Sequence, residues 1–212
     1  MKNKEKESNF EQIKKIILQK AKENGACQSE YRRALKSTNI TEICQILKDN
    51  FNWGCCHGVI TSEFIEQFKD DFAINEIFVN TNVVKGFVIA SGSATVWASD
   101  SATVWASGSA TVRAFDSATV WASDSATVRA SGSATVRASG SATVRAFDSA
   151  TVWASDSATV WAFGSATVRA SGSAYVNCNT TIECKISDHA IIRRTDTNII
   201  QFCDGTMKFE KI

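Results

Sequence analysis

The sequence predicts a mainly β protein, a parallel β-solenoid of octapeptide repeats preceded by a small α-helical N-terminal domain. Three observations carry that prediction. The block Ala90-Ser91-Gly92-Ser93-Ala94-Thr95-Val96-Trp97 recurs every eight residues, almost without variation, to about Val176. A short fixed period is the signature of repeat architectures and decides the fold. Within each unit Ala94, Val96 and Ala98 alternate with Thr95, Trp97 and Ser99, the period-two pattern of a half-buried strand. Finally, the 212 residues include no proline, where average usage would supply roughly ten. Every strand N–H is therefore free to donate to a ladder.

Residues 1–76 read as the helical capping domain. Ser8 followed by Glu11 is a capping box, and Phe10, Ile13, Ile17 and Ala21 line one face until Gly25. This predicts a first helix over about 9–24. A second, around Gln28–Lys36, carries Tyr31 and Leu35. Asn39 with Glu42 opens a third, with Ile43, Leu47 and Phe51 in phase, which continues through Trp53 to a stop near Gly58. Thr61 caps a fourth short helix with Phe64, Ile65 and Phe68 buried. Balanced charges over this region read as a solvated face.

Residues 77–205 read as the octapeptide-repeat solenoid. Each octad is one short strand plus one corner, because the eighth position is Gly or Asp followed by Ser, residues that accept left-handed dihedrals or bond their own backbone. One unit cannot bury its Ala-Val-Ala face alone, so stacked coils must supply core and ladder together. Two octads per coil give a flat two-sheeted roll, and three give a triangular prism. A Val with two Ala fills a narrow sandwich better than a wide triangle. Phe115, Phe147 and Phe163 share one face only in the two-octad roll. The roll is preferred, with the prism as the alternative. The frame runs through Thr180, Asp188, Asp196 and Asp204, and its fifteen corners make roughly seven coils about 4.8 Å apart. Toward the end, Ile182, Cys184, Ile186, Ile192, Ile200 and Phe202 take inward positions and Ile191 and Ile199 outward ones. Residues 206–212 are the expected C-terminal cap, with Met207, Phe209 and Ile212 folding over the last coil and Lys208, Glu210 and Lys211 blunting the edge.

Composition narrows the function classes. A net charge of +1, from 23 basic and 22 acidic residues, gives no bulk attraction to nucleic acid or anionic membrane. The charged N-terminal residues and the lack of any apolar run of spanning length predict a cytoplasmic protein with no membrane partner. Seven cysteines, an odd set without regular spacing, read as reduced thiols. Cys55-Cys56-His57, with Cys27 and Cys44, invites a zinc reading. Adjacent cysteines reach one ion poorly, so buried thiols are preferred and no metal or cofactor is expected.

The variable outward position after Val is held by Trp97, Trp105, Arg113, Trp121, Arg129, Arg137, Arg145, Trp153, Trp161 and Arg169. A stripe of indole and guanidinium groups can pair within itself by cation–π contact, dock a protein partner or a second copy of the chain, or stack a glycan. Nucleic acid is disfavoured, since Asp100, Asp116, Asp124, Asp148 and Asp156 offset the arginines. The Thr column resembles that of ice-binding solenoids, but bulky neighbours spoil a flat array. The corners resemble calcium rolls, but Gly and Asp alternate irregularly along the chain. His57 and His189 lie in different domains, and no nucleophile, phosphate loop or zincin helix is present, so no enzyme is expected.

The pattern Ser-Ala-Thr-Val-Xaa-Ala-Xaa-Gly/Asp follows a helical segment with Asn52-Trp53 in its third helix, and Ile77-Phe78-Val79 leads into the repeats. It resembles, over essentially the whole chain, octapeptide-repeat β-solenoid proteins of gut bacteria and their phages, a family to which no activity is assigned. The Ser-Ala-Xaa-Val register is also similar to the trimeric head rolls of adhesins, which implies a phage fibre-like trimer as one arrangement. The expected function is a non-enzymatic structural or protein-interaction role that presents the Trp/Arg surface to a partner or to itself. The alternative is a glycan or small-ligand binding module using the same stripe.

Overall fold

The computed structural model describes residues 8–203 and 205–208. The chain divides into two compact units, one ending at Val79 and the other beginning at Asn80. The first contains α1 (Asn9–Glu23), α2 (Gln28–Lys36), α3 (Ile40–Asp49), α4 (Phe51–Cys56), α5 (Ser62–Gln67), α6 (Lys69–Ile74) and the short strand β1 (Ile77–Val79), which packs on α5 and α6. Three helices start where the cap residues stand: the Ser8, Asn39 and Thr61 side chains accept from the N–H of Glu11, Glu42 and Phe64. Glu42 reaches back past the cap, accepting from the Thr38 N–H at 2.7 Å.

One expectation is corrected in this unit. The helix expected to run through Trp53 breaks at Asn50, whose side-chain amide donates to the Ile46 carbonyl and to Glu30, both at 3.0 Å. An Asn that satisfies a backbone carbonyl with its own amide ends a helix. In α2, Leu35 is 53% exposed and Ala34 is the buried residue. The core then fills with Ile13, Ile17, Ile43 and Leu47 around an edge-to-face cluster of Phe64, Phe68 and Phe72, whose centroids are 5.9 and 5.3 Å apart. Among the described residues no helix is long and apolar enough to cross a membrane.

The second unit is a parallel β-solenoid of about seven turns whose repeats lie sixteen residues apart, the two-octad coil. Odd and even octads go to different sheets. Sheet A contains β2 (Phe87–Ala90), β4 (Thr103–Ala106), β6 (Thr119–Ala122), β8 (Thr135–Ala138), β10 (Thr151–Ala154), β12 (Thr167–Ala170) and β14 (Glu183–Ile186). Sheet B contains β3 (Thr95–Ala98), β5 (Thr111–Ala114), β7 (Thr127–Ala130), β9 (Thr143–Ala146), β11 (Thr159–Ala162), β13 (Tyr175–Cys178) and β15 (Ile191–Arg194). Registry is residue on residue: Val104 on Val120, Val120 on Val136, Val136 on Val152. The inward Val column is at most 1% exposed from Val96 to Val176, so the interior between the sheets is a closed core.

The corners show an order hidden in the linear sequence. Along one edge they read Gly92, Gly108, Asp124, Gly140, Asp156, Gly172, Asp188, and along the other Asp100, Asp116, Gly132, Asp148, Gly164, Thr180, Asp196. What reads as irregular along the chain becomes, beyond the first coils, alternation of Gly and Asp along each edge, broken only at Thr180. Every Gly and Asp corner from Gly92 to Asp188 has a positive φ, between 47° and 69°. Asp124 Oδ2 accepts from the Gly108 N–H at 3.0 Å, and Asp148, Asp156 and Asp188 do the same for Gly132, Gly140 and Gly172. The carboxylates are thus spent on the backbone of the coil below. In turn, a Cβ on Gly132, Gly140, Gly164 or Gly172 would come within 2.9–3.0 Å of the backbone N of the Asp corner below it.

The expected parallel frame ends earlier than its spacing implied. Thr180 and Asp188 keep their corners, but β16 (Ile199–Phe202) pairs antiparallel with β15, and β17 (Gly205–Lys208) antiparallel with β16. Asp196 lies at the start of a hairpin turn whose positive φ is at Asn198. Ile200 is only half-buried, and Phe202, expected inward, is 39% exposed. Folding back replaces a bare growing edge with a hairpin. Asp204 and the expected capping side chains of Met207, Phe209 and Ile212 lie outside the described residues.

Gly92 and Gly172 share a φ of +61° and +62°, but a Cβ meets nothing within 4 Å at Gly92 and lies 2.9 Å from Asp156 N at Gly172. Gly92→Ala should cost about 1 kcal/mol, the left-handed penalty alone. Gly172→Ala should cost about twice that, measured by urea denaturation; equal losses would show that corner stacking is not limiting. Val136→Ala, at a fully buried site, should cost about 2 kcal/mol in the same assay.

Candidate functional site

The two-octad coil divides the expected stripe into two columns on opposite faces. Sheet A presents Trp105, Trp121, Arg137, Trp153 and Arg169, followed by Lys185. Sheet B presents Trp97, Arg113, Arg129, Arg145 and Trp161, followed by Asn177 and Arg193. All ten residues point outward, but they do not form one surface.

On sheet B three arginines stack on neighbouring strands, about 4.8 Å apart. Like charges in register repel, so this ladder works against the fold unless each charge is covered. Each guanidinium lies over a ring: Arg113 over Trp97 at 4.9 Å, Arg129 over Phe147 at 4.6 Å and Arg145 over Trp161 at 5.7 Å. Phe115, Phe147 and Phe163 follow β5, β9 and β11 and so belong to this same face. Phe147 and Phe163 stack at 5.1 Å and 14°, while Trp97 and Phe115 lie 6.2 Å apart. These three phenylalanines join the site beyond the ten Trp and Arg positions of the expected stripe. The signal for including them was their spacing of sixteen and thirty-two residues, which places them in one column beside the arginines. Trp97 and Phe163 remain 48% and 46% exposed.

Sheet A differs. The position after each strand stays Ser, and Ser123, Ser139 and Ser155 donate their hydroxyls to Ala106, Ala122 and Ala138 carbonyls at 3.4–3.5 Å. Arg137 lies over Trp153 at 5.4 Å. Trp105 and Trp121 are neighbours in register, and the indole nitrogen of Trp121 is buried without a hydrogen-bond partner. This face is an internally packed wall with a hydroxyl border, whereas sheet B combines exposed rings with a row of cations.

At the C-terminal end of sheet B, a cavity of about 340 Å³ is lined by Trp161, Phe163, Asn177, Asn179, Arg193 and Cys178, among others. The side-chain oxygen of Asn177 is buried there without a hydrogen-bond partner. In the helical unit, the Cys55-Cys56-His57 run does not gather into a metal centre. His57 stacks on Trp53 at 4.5 Å and its Nδ1 lies 2.9 Å from the Trp53 carbonyl. Burial pushes the Cys55 thiol up, and Cys44 up to about 12, which holds both protonated. Among the described residues no group of three or more His, Cys, Asp or Glu is placed to hold a metal ion. His189 is an exposed surface residue.

Comparison of the chain with protein-family models, curated proteins and solved structures finds no match in any of the three.

If the rings and guanidiniums are energetically coupled, a double-mutant cycle on Arg137→Ser and Trp153→Ser should return about 0.5–1 kcal/mol of coupling. Additive losses in urea denaturation would mean that the pair is not in contact in solution.

Proposed function

We propose that the solenoid is a non-enzymatic interaction scaffold and that its sheet B face, not both faces, engages a protein partner. The observation that carries this reading is the Arg113–Arg129–Arg145 ladder, bordered by the exposed rings of Trp97 and Phe163. Ser or Thr would satisfy the outward position at no electrostatic cost, so a row of like charges is a feature the fold does not require. Exposed Trp and Arg are the side chains enriched at interface centres. The complementary surface offers carboxylates to the ladder and apolar groups to the rings. A second copy laid face to face would oppose arginine to arginine, which favours a different chain over self-association. The resemblance to octapeptide-repeat proteins of gut bacteria and their phages is consistent with a partner encoded by the same mobile element.

A second reading rests on the cavity beside Trp161 and Phe163. Aromatic walls with Asn177, Asn179 and Arg193 at hand match the stacking and hydrogen-bonding needs of a sugar ring.

Photo-crosslinkers placed at Thr127 on sheet B and Thr119 on sheet A should capture a defined partner only from Thr127. Trp97→Ser with Phe163→Ser should abolish that product at a cost of about 1–2 kcal/mol in urea denaturation, which leaves the chain folded. Equal capture from both faces would overturn the assignment, and a concentration-dependent sedimentation coefficient would turn it toward self-association. For the sugar reading, a glycan panel should quench Trp161 fluorescence in the parent protein and not in Asn177→Ala.

A further inference from the structure

We propose that Cys178 and Cys184 form an oxidation site, a dithiol that closes to a disulfide with a hydroperoxide as the oxidant. The repeat itself supplies the reference. Cys184 occupies the inward Val position, in register with Val168, and Cys178 occupies the inward Ala position at the end of its strand. Both depart from the octad in consecutive strands of the last complete turn, and their sulfurs lie 3.5 Å apart. Closure brings the two sulfurs from 3.5 Å to about 2.05 Å across one corner.

Arg194 places a fixed positive charge beside the first of them. Its Nη1 donates to Cys178 Sγ at 3.3 Å, to the Asn179 carbonyl at 2.7 Å and to the Ile182 carbonyl at 3.0 Å, while its Nε donates to Gln201 at 2.7 Å. A guanidinium held this way cannot swing into water without abandoning two carbonyls. The hydrogen bond from Cys184 and the Arg194 charge bring the Cys178 thiol down to about 7, against burial and the Asp196 carboxylate. Its partner Cys184 is pushed up and stays protonated. The thiolate is the nucleophile and the neighbouring thiol resolves it. The cavity lined by Trp161, Phe163 and Asn177 borders the strand that carries Cys178, a residue that is itself only 3% exposed.

The chemistry balances in two steps. The Cys178 thiolate attacks one peroxide oxygen, the O–O bond breaks, and the leaving oxygen takes a proton to become water or an alcohol. Cys178 is now a sulfenic acid. The Cys184 sulfur then attacks the Cys178 sulfur, the S–S bond forms and the S–O bond breaks. The departing hydroxide leaves as water with the Cys184 proton. Two thiols are oxidised and one hydroperoxide is reduced.

The test uses the full chain treated with a few equivalents of hydrogen peroxide, alkylated, and cleaved after Glu183, which lies between the two cysteines. The Cys178 and Cys184 peptides should stay joined until reduced, with Cys44 still a thiol. Cys184→Ser, a near-isosteric change, should give no disulfide and a sulfenic acid at Cys178 that a cyclic 1,3-dione traps. Arg194→Gln should slow the Cys178 reaction about tenfold by returning the thiol toward its ordinary range. Free Cys178 and Cys184 after oxidation at Cys203 or Cys55–Cys56, or no trapped product in Cys184→Ser, would overturn the assignment.

Discussion

The structure depends on one constraint: each coil must sit on the one below at a single strand spacing, with every residue over its equivalent. Parallel ladders in register demand it, and the core enforces it, because inward Val and Ala columns leave no slack between the sheets. A coil that slipped by one residue would turn its Ala-Val-Ala face to water and its Trp or Arg into the core. Registry is what converts a one-dimensional repeat into columns, and each column then has its own physical problem.

The corner columns solve theirs by alternation. Asp over Asp brings carboxylates within one strand spacing, whereas Asp over Gly finds a backbone N–H to accept from. Glycine over Asp, in turn, leaves out the Cβ that the backbone below has no room for. Calcium rolls place acidic residues at repeated corners to bind an ion; these corners use them to fasten successive coils.

The outward columns meet the same crowding of like charges and resolve it with rings. On sheet B the arginines survive in register because Trp97, Phe147 and Trp161 cover them, and this cover leaves the face both cationic and aromatic. At the C-terminal end the repeat chemistry is relaxed. Cysteines enter the inward positions, Arg194 turns its guanidinium onto carbonyls in place of an Ala methyl, and the chain folds back as a hairpin. A solenoid must change its sequence where it stops, and the new side chains there are the ones with reactivity.

Much of this was written in the sequence. The octad, the alternation within it and the turn residue at its end determined short strands, corners and a stacked core, because those follow from periods of two and eight alone. The N-caps Ser8, Asn39 and Thr61 determined where three helices begin, since a cap bonds within its own first turn. The phenylalanine spacing favoured two octads per coil, but no single octad carries the relations between neighbouring coils. Whether Trp97 neighbours Trp105 or Arg113, whether Asp124 stands over Gly108, and whether Cys178 meets Cys184 across the core depend on the number of octads per coil. The break at Asn50 and the reversal after Arg194 likewise turned on partners distant in the chain, Glu30 in one case and the β15 edge in the other. Local periodicity determined the elements. Only closure of the coil decided which side chains share a face, because that is set by packing between strands and not within them.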